Sequence, residues 1–150
     1  MITEITGVVA VVLSVRYLGL QIRDNTKVLR SQAHYNALSL AQRPMEMMIE
    51  NEGLAKVVNT GYLTPDALNA EDLARFGDYM FIGFNAWEYL YYQNKDRAIP
   101  KELWVGADAY FRGLVADKPG LTRFWSGYQR SFDEPFRSYV DGEFAKVAAT

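Results

Sequence analysis

Cysteine is absent from the chain, which removes disulfides, thiolate nucleophiles, iron–sulfur clusters and cysteine zinc sites together. Histidine occurs once, as His34. The carboxylate-bridged di-metal centres of helical bundles need Glu-x-x-His pairs on two helices, and the residue three before His34 is Ser31. A hydroxyl nucleophile would have to recruit the same histidine, and there is no Gly-x-Ser-x-Gly elbow; Ser126, in Phe124-Trp-Ser-Gly-Tyr128, bears only an outward likeness to one. Walker and Gly-x-Gly-x-x-Gly loops are missing too. No catalytic residue, metal ligand, cofactor or cofactor-binding residue is assigned, and the chain reads as a non-enzyme. His34 itself reads as a surface or packed residue. An excess of positive charge is also lacking: the net charge of −2 argues against a general nucleic-acid binder. No stretch alternates as a half-buried strand would.

What is abundant is apolar and aromatic. At 49% hydrophobic and 14% aromatic, 150 residues have ample material for one folded core plus, at most, an anchor. The stretch Ile2–Ile22 is about 20 residues, the length of a membrane-crossing helix. No charge falls between Ile5 and Val15, and the hydroxyls of Thr6 and Ser14 can return to backbone carbonyls. Arg16 stands near the C-terminal end, where its stem can snorkel to the headgroups beside Tyr17. If Arg16 marks the interface, the apolar run before it is only about 15 residues; the competing reading is a buried or interfacial helix of a soluble protein. A cleaved signal peptide is disfavoured by Glu4 ahead of the run and by the lack of a small-x-small site after it. Residues 1–22 are therefore expected to anchor the chain, and 23–150 to form a helical domain. No Lys or Arg precedes the run, whereas Arg16, Arg23, Lys27 and Arg30 follow it, which places the domain on the cytoplasmic side of a single-pass protein. With Tyr17, these four residues form the expected lipid interface.

Beyond the anchor, Ile22, Leu29, Ala33, Ala37 and Leu40 fall on one stripe, so the helix is expected to continue as a rod over about 3–42, until Pro44 breaks it. Asn25 interrupts that stripe, at a place where a polar residue can set the register of a helix pair. Met45, Met47 and Met48 read as core filler. A short helix is expected over Glu52–Asn59, with Gly61 as its C-cap. Thr64-Pro65-Asp66 carries a helix-start signal, and Asn69-Ala-Glu-Asp72 a second one before the most periodic stretch. There Leu73, Phe76, Met80, Phe84, Trp87 and Tyr91 recur at helical spacing, with Tyr79, Phe81, Ile82 and Leu90 widening the apolar face as in the central helix of a bundle. Pro100, Pro119-Gly120 and Asp133-Glu134-Pro135 open three more helices. Their inward faces are Leu103, Trp104, Ala107, Phe111 and Leu114; then Leu121, Phe124, Trp125, Tyr128 and Phe132; then Phe136, Tyr139, Val140 and Phe144. The fold class is all-α: one long N-terminal helix, transmembrane at its start, continuing into a compact bundle of about five shorter helices.

One charged residue interrupts the aromatic run. Glu88, in Trp87-Glu-Tyr-Leu-Tyr-Tyr-Gln93, needs a partner if it is buried. It is either a structural or edge carboxylate, or the centre of a ligand pocket lined by Trp87, Tyr91 and Tyr92.

The run Val11-Val-Leu-Ser-Val-Arg-Tyr-Leu-Gly-Leu-Gln-Ile-Arg-Asp-Asn-Thr-Lys27 resembles the start of a widespread family of small uncharacterised bacterial proteins, in which an apolar helix passes into a Tyr-Leu-x-x-Gln-Ile-Arg-x-Asn-Thr-like motif. The likeness extends to Glu88…Tyr91-Tyr92-Gln93, Trp104, Trp125 and Phe132…Pro135-Phe136…Tyr139-Val140-Asp141. Members of the family usually carry an aliphatic residue where this chain has Arg16. The resemblance implies a single N-terminal anchor and a helical domain, and no activity. The expectation is a non-enzymatic accessory or structural subunit of the bacterial inner membrane. Its partners would be membrane lipid and either a larger membrane complex or its own copies. The alternative is a membrane-anchored sensor whose aromatic pocket around Glu88 holds a small ligand.

Overall fold

The computed structural model describes the backbone from Ile2 to Ala149 and the side chains from Ala10 to Ala149. Among the described residues the fold is all-helical: α1 (Ile2–Glu50), α2 (Glu52–Leu63), α3 (Ala70–Lys95), α4 (Lys101–Asp117), α5 (Pro119–Tyr128) and α6 (Phe136–Ala148), with single 3₁₀ turns at Pro65–Ala67 and Gln129–Ser131. The expected architecture of one long helix and five shorter ones holds, and its details differ in three places.

α1 does not stop at Pro44. It runs 49 residues to Glu50 with Pro44 inside it. An interior proline costs about 3 kcal/mol in an isolated helix. Here the ring is buried against the bundle, and Met48 beyond it accepts a hydrogen bond from the Tyr79 hydroxyl at 3.0 Å. Packing on both sides of the proline keeps the axis continuous. The break falls instead at Asn51, whose extended backbone ends α1 and whose side chain accepts from the Leu54 amide at 2.9 Å, capping α2.

Gly61 is not a C-cap. α2 continues through it to Leu63, and Thr64-Pro65-Asp66 opens only a 3₁₀ turn, with no side-chain cap from Thr64. The glycine serves close approach. A Cβ on Gly61 would overlap the Phe76 ring, and one on Gly120, at the start of α5, would overlap the Gly61 carbonyl oxygen. Two small residues thus let α5 rest on the backbone of α2.

α3 is the central element, capped as expected by Asn69, which accepts from the Asp72 amide at 2.9 Å. It packs against α1, α2, α4 and α5 and buries Phe76, Tyr79, Met80, Phe84, Ala86, Trp87 and Leu90. Around it close Phe111 and Val115 of α4, Leu121, Phe124 and Trp125 of α5, then Phe132, and finally Phe136 and Val140 of α6. Among the described residues, α1 reaches this core only through its second half, from Ala33 to Met48.

Gly120→Ala is expected to lower the melting temperature by several degrees, because overpacking here has rigid backbone opposite it and costs about 1–3 kcal/mol. Gly106→Ala, with nothing within 4 Å of the added methyl, is expected to leave it unchanged or raise it slightly. Thermal unfolding of the two variants followed by circular dichroism checks the contrast.

Candidate functional site

Two regions were expected to carry function, and the fold treats them differently. The aromatic region is closed by its own side chains. Trp87 is completely buried; its indole stacks on Phe111 at 5.1 Å and meets Phe136 and Tyr139 edge-on. Its ring N–H donates to Asp108 Oδ1 at 3.1 Å. The same oxygen accepts from the Tyr139 hydroxyl at 2.6 Å, and Arg112 lies 3.0 Å from Oδ2. Asp108 is thus a buried hub joining α3, α4 and α6. The sequence reading missed it because Asp108 follows Ala107 in a helix whose other inward residues are apolar. Burial and the Asp108 contact together push the Tyr139 hydroxyl's pKa far up, so it stays a donor.

Glu88 and Tyr92 sit at the rim of this region and bind the loop before α6. Glu88 Oε1 accepts from the Asp133 amide at 3.0 Å, and the Tyr92 hydroxyl donates to the Glu134 carbonyl at 3.1 Å. Tyr91 lies among Tyr92, Trp104, Phe136 and Tyr139. The four residues expected to line a pocket are therefore neighbours: Glu88 and Tyr92 turn their polar atoms to a loop of the same chain, while the Trp87 ring N–H turns to Asp108 of α4. Loss of solvation raises the Glu88 carboxyl above its ordinary range, against the lowering effect of the Asp133 amide.

The exposed half of α1 is the second region. Every described residue from Ala10 to Gln32 is exposed, a length of about 34 Å. Val11, Val12, Leu13, Val15, Leu18 and Ile22 are each at least 54% exposed. The bundle covers none of them. Helical geometry divides the rod lengthwise: Arg16, Arg23, Lys27, Arg30 and His34 recur at intervals of seven, four, three and four, within an arc of about 60°. Val11, Val15, Leu18, Ile22, Asn25 and Leu29 lie on the opposite side. The basic side is lightly neutralised: among the described residues only Asp24 approaches it, 3.8 Å from Arg23 and 3.9 Å from Lys27. Tyr17 uses its hydroxyl to accept from Gln21 at 3.1 Å. The hydroxyl of Ser14 returns to the Ala10 carbonyl at 2.8 Å, so it adds no free polar group to the apolar face.

Among the described residues no helix is long and apolar enough to cross a membrane. Much of the expected anchor, the side chains of Ile2 to Val9, lies outside the described residues. The chain matches no family model, no curated protein and no solved structure.

The Glu88 environment gives a pH prediction. A carboxyl that holds its proton more tightly folded than unfolded contributes stability that is full below its unfolded pKa, about 4.3, and is lost as pH rises through its higher folded value. Glu88→Gln keeps an acceptor for the Asp133 amide and removes the titration. The stability of the native chain relative to this variant is expected to fall as pH rises from about 4.3 through the raised folded value, read as the difference in melting temperature. A difference that grows with pH contradicts this reading of the site.

Proposed function

We propose that this is a non-enzymatic, single-pass protein of a bacterial inner membrane: α1 holds it at the bilayer, and the helical domain docks on the cytoplasmic face against a larger membrane complex or further copies of itself. The observation that carries this is the bare half of α1. An isolated helix in water is marginal, and most helical stability comes from packing of an apolar face. Here about six turns carry exposed aliphatic side chains with no protein against them, so the partner has to come from outside the bundle. Lipid meets that need for Ile2–Val15, which spans about 21 Å as a helix. Thinning of the bilayer and snorkelling of Arg16 accommodate a run that is short of the full hydrocarbon thickness. Arg23 and Lys27 then stand where anionic headgroups attract them, and the charge asymmetry sets the orientation.

The domain behind the rod is suited to be a docking body rather than a reaction vessel. Its buried carboxylate, Asp108, is taken up by Trp87 and Tyr139, and at the rim Glu88 engages the Asp133 amide. That arrangement holds a shape.

Deleting Met1–Val15 tests the reading. The truncated chain is expected in the soluble fraction after cell lysis, with the full chain in the membrane fraction and resistant to high salt. A truncated chain that stays with membranes in high salt overturns the assignment.

A further inference from the structure

We propose that the groove between α1 and the α3–α4 connection is a binding site for a small phosphate ester with an apolar body. The groove is an open cleft of about 670 Å³. Arg30 and His34 line it from α1, and Arg97 from the connection, while Tyr35, Leu38 and the buried Ile99 give it apolar surface. No carboxylate lines it. Neither Arg30 nor Arg97 has an ion-pair partner among the described residues, a state shared by Arg16 and Arg130, whereas Arg23, Arg43, Arg75, Arg112, Arg123 and Arg137 each have one.

The backbone at Arg97 supplies an independent reason. Its φ of 56° is the only positive value at a non-glycine residue among the described residues. Arg97 follows the last turn of α3, where the Arg97 amide donates to the Asn94 carbonyl at 3.0 Å and the Ala98 amide to that of Gln93 at 2.9 Å. This is the helix-ending motif whose left-handed position ordinarily holds glycine. An L-residue is strained there, and strain of this kind is retained where a side chain is needed for function. What arginine adds over glycine is a charged side chain on a residue that lines the cleft.

The two guanidiniums come from different elements, so the bound anion has to offer acceptors in more than one direction. A tetrahedral phosphate does so, while a carboxylate's two coplanar oxygens suit a single arginine. The apolar wall adds a requirement for more than inorganic phosphate. The basic side of α1, from Arg16 through Arg23 and Lys27, leads to this cleft and would draw anions towards it. The net charge of −2 removes an extended polyanion as the occupant. The site does not depend on how α1 meets the membrane, and its failure leaves the membrane reading intact.

The test is titration of the full chain, in mild detergent, with phenyl phosphate, inorganic phosphate and dihexanoyl phosphatidylglycerol, followed by calorimetry and ³¹P resonance broadening. Phenyl phosphate is expected to bind more tightly than inorganic phosphate. Arg97→Gly and Arg30→Gln are each expected to weaken it by about tenfold or more. Arg97→Gly is the sharper variant, because relief of the strained backbone is expected to hold or raise the melting temperature while binding is lost. Saturable, Arg97-dependent binding of the short-chain lipid without binding of phenyl phosphate assigns the phosphate to a headgroup, and supports the same chemistry. Absence of saturable binding by either ester, or binding unchanged in both variants, overturns the proposal.

Discussion

A buried tryptophan with one acidic partner holds this bundle together. Trp87 lies in the second half of α3, fully buried, and its ring N–H must be satisfied without water. Asp108 does that while also accepting from Tyr139, so a single carboxylate fixes how α3, α4 and α6 sit against one another. A buried carboxylate is costly unless its oxygens are occupied; here two neutral donors and the Arg112 guanidinium occupy them. The surrounding rings, Phe84, Phe111, Phe136 and Tyr139, then have little freedom of placement. Without Asp108 the fully buried Trp87 N–H would lack an acceptor, a loss of about 1–3 kcal/mol, and the half-buried Tyr139 hydroxyl would lose its partner.

Because that core is complete without it, the first half of α1 is left over. The helix contributes Ala33, Ala37, Ala41 and Met48 to the bundle, and small side chains at those places bring its axis close to α3. Among the described residues, none from Ala10 to Gln32 has a counterpart in the bundle to meet. The continuity of α1 through Pro44 matters for the same reason: an unbroken axis makes the exposed segment an extension of the domain, so whatever grips the rod also orients the bundle.

The all-α class, the central place of α3 and most of the inward faces were legible because they depend on helical periodicity over long stretches, as in Phe76, Met80, Phe84 and Trp87. The Asn69 cap was legible from local chemistry. Pro44 and Gly61 misled for a shared reason. Both carry strong local signals, and both were outweighed by contacts with residues distant in sequence, Tyr79 through Met48 in one case and Phe76 with Gly120 in the other. Asp108 was invisible because a lone acid beside an apolar stripe looks like a solvated edge until its donors are known. Glu88 was recognised as needing a partner, but that partner is a loop amide 45 residues away, which no spacing rule reaches. Arg97 left no trace in the pattern, since its left-handed backbone occupies a position where a glycine would have announced a turn.

The central claim is that the outer half of α1 faces lipid, and the absence of cysteine allows a direct measurement of it. Single cysteines placed at Val12, Leu18 and, as a water-exposed reference, Leu63 can each carry a nitroxide in chains reconstituted into vesicles. Collision rates with dissolved oxygen and with a water-soluble nickel chelate then report the surroundings of each label. The account predicts that Val12 collides preferentially with oxygen, Leu18 less so, and Leu63 with the nickel complex. Nickel accessibility at Val12 equal to that at Leu63 would contradict it.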